Sequence, residues 1–319
     1  MTRDAPPRLA CLGECMIELR ERPDGLLSRG FGGDTLNTAV YLARLGVSVD
    51  YVTALGNDPH SDEMLRDWEA EGVGTSRVER VSGALPGLYL IQTDEKGERR
   101  FSYWRDAAPV RRLFDLPGTQ RVEAALAMAD PLYLSGITLS LFRGLARERL
   151  FAVLERVRAV GGRVVFDSNF RPRGWPDRDE ARAAFGRALS LSHTVLAGVE
   201  DFTLLDGETS PRALITRLRQ AGVEEAVVKL AEPGAIAVSA GAEQFVPVPE
   251  AVEPVDTTAA GDSFAAAYLA ARLNGAAPDA AILAGHRLAG RVIQHPGAII
   301  PRSAMPAGIL PAPAAPETA

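Results

Sequence analysis

The residues best suited to chemistry lie between positions 256 and 264, in the order Asp-Thr-Thr-Ala-Ala-Gly-Asp-Ser-Phe. An Ala-rich segment of high helix propensity runs from Ser263 to Leu273, so small residues stand where a loop becomes a helix. The N–H groups at a helix start have no acceptor within the helix, and the helix dipole adds positive potential. Ala259, Ala260 and Gly261 therefore predict an anion site, suited to a phosphoryl group near its transition state.

Asp262 is the candidate general base of this stretch. A carboxylate in the first helical turn beside an anion makes more sense as a base, which takes a proton from an attacking hydroxyl, than as a charge partner. An ordinary N-cap aspartate next to a glycine turn accounts for the same residues. The stretch alone leaves the two interpretations open.

The composition is that of an ordinary folded protein. Among 319 residues, 46% are apolar and 24% are charged, which is typical of one large domain or two modest ones. The formal charge of −6 offers no attraction for nucleic acid or an anionic membrane. No apolar run reaches membrane-spanning length, and residues 1–8 are too polar for a signal peptide. Cys11 and Cys15 lie close together in one predicted strand and indicate reduced thiols, so we expect a cytoplasmic protein.

The lysines and histidines exclude several kinds of site. Lys96 and Lys229 are the only lysines, and neither follows a Gly-rich phosphate loop, which excludes a Walker-type NTPase. No protein-kinase catalytic loop is present. The four histidines are scattered, so we assign no direct metal ligands. Phosphate binding must therefore use backbone amides, arginine or Lys229.

Apolar strands alternate with amphipathic helices along most of the chain. This alternation predicts an α/β domain with a doubly wound, mostly parallel sheet flanked by helices. No linker interrupts the chain, so we expect a single domain over residues 8–306 and a disordered, Pro- and Ala-rich tail over 307–319. The predicted strands lie at 9–13, 47–54, 131–134, 164–166, 195–196 and 226–230, and the predicted helices at 34–45, 61–71, 119–128, 141–160, 178–190, 263–273 and 277–293.

The pattern changes between residues 78 and 104. Strand signals at 78–81, 88–93 and 99–104 follow one another without helices, and residues 94–97 form a predicted hairpin turn. A β-only insertion of this kind predicts a small lid. Its exposed face and edge would need cover, which favours a second subunit.

Polar residues at the ends of the predicted strands are the remaining candidates. Asp167, Asn169 and Arg171 follow a buried strand at the sheet edge where ligands gather in open parallel sheets. Arg171 can fork onto a carboxylate or phosphate, although a surface arginine accounts for it too. Asp34 is either a helix cap or a ligand. For Glu14 and Glu18 we favour a solvated strand edge over sugar contact.

Several separated stretches carry a resemblance to a known family. The segments Gly32–Ala39 and Asp256–Phe264 resemble the paired signatures of the ribokinase-like (PfkB) carbohydrate kinases. Within that family the chain is similar to the branch of 2-dehydro-3-deoxygluconate (KDG) kinases. The resemblance runs from about residue 8 to about residue 306, and the further stretches that carry it are 85–89, 103–105, 167–172 and 297–302.

The resemblance implies a ribokinase-like fold and ATP-dependent phosphorylation of the C6 hydroxyl of 2-dehydro-3-deoxy-D-gluconate. It implies that Asp262 is the catalytic base and that the amides of Ala260, Gly261 and Asp262 hold the transferring phosphoryl. Mg²⁺ accompanies ATP, and the family often has a monovalent cation such as K⁺ near the loop 256–258. The implied sugar-binding residues are Gly33, Asp34, Asn37, Tyr89, Tyr103, Arg105, Arg171 and Asp262, and the implied nucleotide-binding residues are Asn169, Lys229, Gly234, Ala259, Ala260 and Gly261.

Two other functions remain open on this fold. One is a neutral-sugar kinase of the fructokinase or ribokinase type, against which the Tyr-Trp-Arg stretch at 103–105 speaks. The other is a non-catalytic sugar or nucleotide sensor, which would have no need of Asp262. In each case we expect small-molecule partners and a homodimer, or a higher homo-oligomer, formed through the lid.

Overall fold

The computed structural model describes residues 8–22, 24–93 and 99–311. Within these ranges the chain forms ten α-helices and thirteen β-strands. The predicted hairpin turn at 94–97 lies outside the described residues. The strands are β1 Leu9–Leu12, β2 Met16–Glu21, β3 Leu27–Gly32, β4 Val49–Gly56, β5 Val78–Val81, β6 Leu88–Thr93, β7 Arg99–Trp104, β8 Leu132–Ser135, β9 Val164–Asp167, β10 Thr194–Gly198, β11 Glu225–Lys229, β12 Gly234–Ser239 and β13 Ala242–Pro247. The helices are α1 Asp34–Arg44, α2 Pro59–Ala70, α3 Thr119–Ala127, α4 Gly136–Leu141, α5 Leu145–Ala159, α6 Arg178–Leu191, α7 Val199–Asp206, α8 Pro211–Gln220, α9 Ala260–Leu273 and α10 Pro278–Val292.

Nine strands form a large sheet in the order β13-β12-β11-β10-β9-β8-β1-β4-β5. Seven of them, from β11 to β5, run parallel, while β12 and β13 form an antiparallel hairpin at one edge. Strand β4 is buried at every position, as expected for a parallel strand covered on both faces. The predicted doubly wound sheet is therefore confirmed. The antiparallel hairpin at its edge was not predicted as a unit.

Helices cover both faces of this sheet. One apolar core packs helices α3 to α8 against it, and a second core packs α1, α2, α9 and α10 against the other face. Strand β1 shows the alternation, because Ala10 and Leu12 enter the first core while Leu9 and Cys11 enter the second. The predicted helix at 141–160 is divided at Gly144, whose φ of 52° is in the left-handed region. No helix of the described ranges combines the length and apolar character needed to cross a membrane.

A second, four-stranded sheet has the order β3-β2-β6-β7, and we call it the lid. The predicted bounds of β5, β6 and β7 are correct, but the predicted lid over 78–104 is corrected in two ways. Strand β5 pairs with β4 in the large sheet, and the lid gains the hairpin of β2 and β3 from residues 16–32. The turn dipeptide Asp24-Gly25, with φ of 79° at Gly25, was the signal for this hairpin.

The predicted disordered tail is corrected for residues 307–311. Ile309 is only 4% exposed and belongs to the core that contains α9 and α10, and Leu310 packs against the same core. This segment is ordered because its few large apolar side chains are buried against the core. Residues 312–319 lie outside the described part of the chain.

Candidate active site

Helix α9 begins at the predicted anion site. Its N-cap is Ala259, which has left-handed angles (φ 60°, ψ 17°) that cost a non-glycine residue about 1–2 kcal/mol. A Cβ added to Gly261 would meet nothing within 4 Å, so open space lies in front of this first turn. The Ala260 amide donates to the Thr257 carbonyl oxygen at 3.3 Å. Of the three amides predicted to bind phosphoryl, that of Ala260 is therefore already engaged.

Asp262 contacts a different helix. The Asn37 side-chain amide donates to Oδ2 of Asp262 at 2.8 Å. The N-cap position of α9 belongs to Ala259, so the alternative of an N-cap aspartate is wrong for Asp262. Asn37 is 4% exposed, and its Oδ1 is buried without a hydrogen-bond partner among the described residues. A buried acceptor of this kind needs a donor, which the hydroxyl of a ligand can supply.

The pKa of Asp262 is raised to about 8. Burial is the largest cause, and the negative charge of Asp34 adds to it, while the Asn37 hydrogen bond and Lys229 act in the opposite direction. A base is most effective when its pKa lies near the working pH. The surroundings of Asp262 thus favour the role of a general base over that of a permanent counter-charge.

Two residues at the carboxyl ends of strands of the large sheet bind the Asp34 carboxylate. Ser135 Oγ donates to Asp34 Oδ2 at 2.5 Å, and Asn169 Nδ2 donates to the same oxygen at 2.8 Å. Gly33, not Asp34, is the N-cap of α1. Asn169 was predicted to bind nucleotide, and the structure places it beside Asp34, a predicted sugar-binding residue. Its φ of 24° is rare for a residue with a side chain.

Gly33 provides a close approach between two chain segments. A Cβ added there would lie 2.0 Å from the carbonyl oxygen of Glu14. Its φ of −178° is ordinary extended backbone, so the requirement for glycine at this position comes from space.

Lys229 lies at the end of β11 and is bound by Asp167 at the end of β9. Its Nζ lies 3.1 Å and 3.3 Å from the two carboxylate oxygens. Burial alone would lower the pKa of Lys229, but Asp167 and neighbouring carboxylates raise it overall, so the ammonium stays charged. Gly234, also predicted to bind nucleotide, is buried at the start of β12, where a Cβ would lie 2.6 Å from the Phe245 ring. Strand packing therefore accounts for this glycine.

The lid presents aromatic side chains from neighbouring strands. Tyr89 on β6 is directly opposite Tyr103 on β7, and their ring centroids are 6.0 Å apart. The Tyr89 hydroxyl donates to Glu18 Oε2 at 2.5 Å. Glu18 is 9% exposed and Glu14 is 3% exposed. The expectation of a solvated edge for these two glutamates is therefore wrong, because Glu18 lies on the unpredicted strand β2 and bonds Tyr89, and Glu14 lies just before that strand and pairs with Arg105.

The two predicted carboxylate-binding arginines have separate protein partners. Arg105 forms an ion pair with Glu14 and lies 6.0 Å from the Tyr103 ring centroid. The side chain of Arg171 is 60% exposed and lies 3.5 Å from Asp201. Each guanidinium therefore already has a carboxylate of the protein as its partner.

Ser135 is a functional candidate that the sequence analysis missed, and Glu14 is one for which it favoured a solvated edge. Ser135 follows the apolar residues 132–134, and this is the same signal, a polar residue at the end of a buried strand, that identified Asp167. Glu14 follows β1 in the same way. Both could therefore have been found from the rule already applied to β9.

A carboxylate of raised pKa beside an open helix start, at the carboxyl edge of a parallel sheet, suits a phosphoryl-transferring enzyme. The chain belongs to the PfkB family of carbohydrate kinases, because the family model described as "pfkB family carbohydrate kinase" matches residues 6–305.

Curated relatives cover nearly the whole chain. It is 45% identical to the 2-dehydro-3-deoxygluconokinase of Dickeya dadantii, over 94% of this chain and 98% of that protein. It is 44% identical to the 2-dehydro-3-deoxygluconokinase of Escherichia coli K12, over 94% of this chain and 99% of that protein. Among solved structures it is similar to a fructokinase with bound ATP from Xylella fastidiosa, with a TM-score of 0.78, 26% identity and coverage of 94% and 95% of the two chains.

Proposed function

We propose that this protein transfers the γ-phosphoryl group of ATP to the C6 hydroxyl of 2-dehydro-3-deoxy-D-gluconate. The observation that carries the proposal is the position of Asp262, a half-buried carboxylate with a pKa near 8 in the first turn of α9. The identity of 44–45% to proteins named 2-dehydro-3-deoxygluconokinase supports this acceptor. The fructokinase of known structure is less similar, at 26%.

Asp262 is the proton acceptor of the proposed step. A bond forms between the C6 oxygen and the γ-phosphorus, the bond from that phosphorus to the β,γ-bridging oxygen breaks, and the hydroxyl proton passes to Asp262. Asn37 holds the accepting carboxylate through its amide and offers Oδ1 to a hydroxyl of the acceptor. In-line transfer places the phosphoryl at the open first turn of α9, where the Gly261 and Asp262 amides stabilise its charge.

The nucleotide and Mg²⁺ complete the reaction. Mg²⁺ in such reactions is usually held by the nucleotide phosphates, water and one or two carboxylates. Bound Mg²⁺ would neutralise charge on the transferring phosphoryl group. Lys229 remains the proposed cationic contact on the nucleotide side, kept charged and oriented by Asp167. We also propose that the nucleotide is bound by Ala259, Asn169 and Gly234.

The monovalent cation that the family often has near residues 256–258 does not fit the Asp256 carboxylate here. Its Oδ2 accepts hydrogen bonds from the Gly297 amide at 2.9 Å and from the Arg20 guanidinium at 2.8 Å. A cation on that oxygen would meet the positive charge of Arg20. We therefore assign no step to such an ion.

The acceptor carboxylate has two candidate partners, Arg105 from the end of the lid and Arg171 from the loop after β9. Arg171 lies two residues after Asn169, which contacts Asp34, and Arg105 pairs with Glu14, whose carbonyl oxygen lies next to Gly33. Arg105 pairs with the buried Glu14, so it is pre-oriented, whereas the 60% exposed side chain of Arg171 contacts the Phe170 carbonyl oxygen and Asp201. Together with Tyr89 and Tyr103 they form the proposed lid side of the sugar-acid site.

The lid is also the proposed contact between subunits. It exposes large apolar side chains in one small sheet, at Leu26 (61%), Leu27 (53%), Tyr103 (45%) and Trp104 (60%). Exposed apolar side chains concentrated on one small sheet favour a protein partner. A second copy of this chain is the partner we propose, which gives a homodimer.

The test is an assay of the purified protein with ATP and a panel of acceptors. We expect ADP and 2-dehydro-3-deoxy-6-phosphogluconate from the sugar acid and much slower turnover of fructose and ribose. A preference for fructose or ribose would replace the proposal by a neutral-sugar kinase. Binding of sugar or nucleotide without ADP formation would indicate a sensor. Because ATP is a cytoplasmic metabolite, we expect the reaction in the cytoplasm.

A further inference from the structure

Arg20 links the lid to the loop that precedes the anion site. It lies on lid strand β2, and its Nη1 donates to Asp256 Oδ2 at 2.8 Å across 236 positions of sequence. No feature of the sequence analysis pointed to this contact.

Asp256 holds the two segments that frame the start of α9. Its Oδ1 accepts from the Thr258 amide at 2.9 Å, and its Oδ2 accepts from the Gly297 amide at 2.9 Å. It is 4% exposed. Burial alone would raise the pKa of Asp256, but the hydrogen bonds from Thr258, Gly297 and Arg20 lower it overall. The carboxylate is therefore ionised, and a buried ionised carboxylate needs a counter-charge.

The counter-charge is itself held in place from the lid. Arg20 Nη2 donates to Glu18 Oε1 at 3.3 Å, and Glu18 Oε2 accepts from the Tyr89 hydroxyl at 2.5 Å. We call Tyr89, Glu18, Arg20 and Asp256 the Arg20 relay. It runs from a proposed sugar-contacting tyrosine to the loop on which the phosphoryl site is built.

We propose that Arg20 is a positioning residue for phosphoryl transfer. Its positive charge fixes the conformation of the Asp256 loop and of the first turn of α9 that the reaction requires. The inference rests on the proposed kinase activity. The role proposed for Arg20 also explains why a monovalent cation does not fit at Asp256, because the Arg20 guanidinium already bonds Oδ2 of that carboxylate.

Arg29 offers a matched control. It lies on the neighbouring lid strand β3 and forms an ion pair with Glu63 of α2, at 2.5 Å and 2.7 Å. Arg29→Ala therefore also removes guanidinium contacts between lid and core, those with Glu63 and His60, but it leaves Asp256 and its loop untouched. Any effect shared by Arg20→Ala and Arg29→Ala reports only the docking of the lid.

The experiment compares wild type, Arg20→Ala and Arg29→Ala with ATP and 2-dehydro-3-deoxygluconate. We expect Arg20→Ala to lower kcat by about 10- to 100-fold, the effect of one lost bond to a charged group, with a much smaller change in KM for the acceptor. The kcat of Arg29→Ala should stay within about threefold of the wild-type kcat, because an exposed ion pair usually contributes little. Millimolar guanidinium chloride should restore part of the activity of Arg20→Ala and leave Arg29→Ala unchanged.

Three results would overturn the inference. They are equal kcat losses in the two variants, an Arg20→Ala loss without guanidinium rescue, and a wild-type kcat that falls more than about tenfold when tetramethylammonium replaces K⁺. A wild type that phosphorylates no acceptor would instead overturn the proposed function, and the inference with it. A wild-type kcat that does not change when tetramethylammonium replaces K⁺ supports the inference that Arg20 supplies the positive charge at Asp256.

Discussion

Asn37 Nδ2 lies 2.8 Å from Asp262 Oδ2, although 225 positions separate the two residues in the sequence. The contact joins the first turns of α1 and α9, which pack against each other on one face of the large sheet. The Asn37 side chain thereby orients the proposed base through its nitrogen, while its oxygen has no hydrogen-bond partner among the described residues. The proposed acceptor site and the proposed phosphoryl site therefore adjoin.

Asp262→Asn should lower turnover by about two to four orders of magnitude, the usual contribution of a positioned base. The amide keeps the shape of the side chain but cannot take the hydroxyl proton. ATP binding should persist, and thermal stability should be retained or increased because a half-buried carboxylate beside other carboxylates is removed. Steady-state kinetics and thermal unfolding check this. A variant that keeps more than about a tenth of wild-type turnover would show that Asp262 is not the base.

The pH dependence should report the raised pKa of Asp262. The base works only when deprotonated, so kcat/KM should rise as the pH increases through about 8. Asp34→Asn removes the second cause of the raised pKa, the negative charge of Asp34, and should move the rising limb to lower pH. The measurement is the pH profile of kcat/KM for both proteins. A rising limb at the same pH in both would exclude Asp34 as the cause, whatever the loss in absolute activity.

Gly261→Ala and Gly33→Ala should separate a ligand requirement from a folding requirement. A Cβ at Gly261 meets open space, so the fold should tolerate alanine and gain up to about 1 kcal/mol from helix propensity, while kcat falls because the methyl group enters the phosphoryl site. A Cβ at Gly33 lies 2.0 Å from the Glu14 carbonyl oxygen, so Gly33→Ala should destabilise the protein. Urea unfolding combined with kinetics distinguishes them. Full activity in Gly261→Ala would contradict the predicted anion site.

Arg171→Leu should cost about 10- to 100-fold in kcat/KM on 2-dehydro-3-deoxygluconate, since a hydrogen bond to a charged group is lost. Residual activity on fructose should change little because fructose has no carboxylate. Arg173→Leu is the control, being an exposed arginine two residues further along the same loop. Equal losses on both acceptors would show that Arg171 does not recognise a carboxylate.

Trp104→Asp should dissociate the proposed homodimer. The indole is 60% exposed at the edge of the lid, and a carboxylate in an apolar interface would lack a partner. Leu145→Asp is the matched control, because Leu145 is 81% exposed at the start of α5, outside the lid. Sedimentation velocity at micromolar concentration measures the result. A wild-type monomer would remove the dimer from the proposal without affecting the lid.

Much of the fold could be predicted because its signals are local. The continuous burial of β4 and the apolar period of α1 are written in neighbouring residues, and both elements were predicted within two residues of their observed ends. The hairpin of β2 and β3 was missed because charged residues such as Glu18 and Arg20 interrupt its apolar pattern. Those charges are buried or half-buried by pairing with partners far away in sequence, which local patterns do not reveal.

By itself the sequence determined the elements, the sheet edge at which polar residues collect, the helix start at Ala259–Asp262, and the family resemblance. Only the tertiary structure decided which polar groups meet. It joined Asn37 to Asp262, Asn169 to Asp34, Lys229 to Asp167 and Arg20 to Asp256. The physical reason is that helix and strand formation depends on residues a few positions apart, whereas the pairing of buried charges depends on which strands the fold sets side by side.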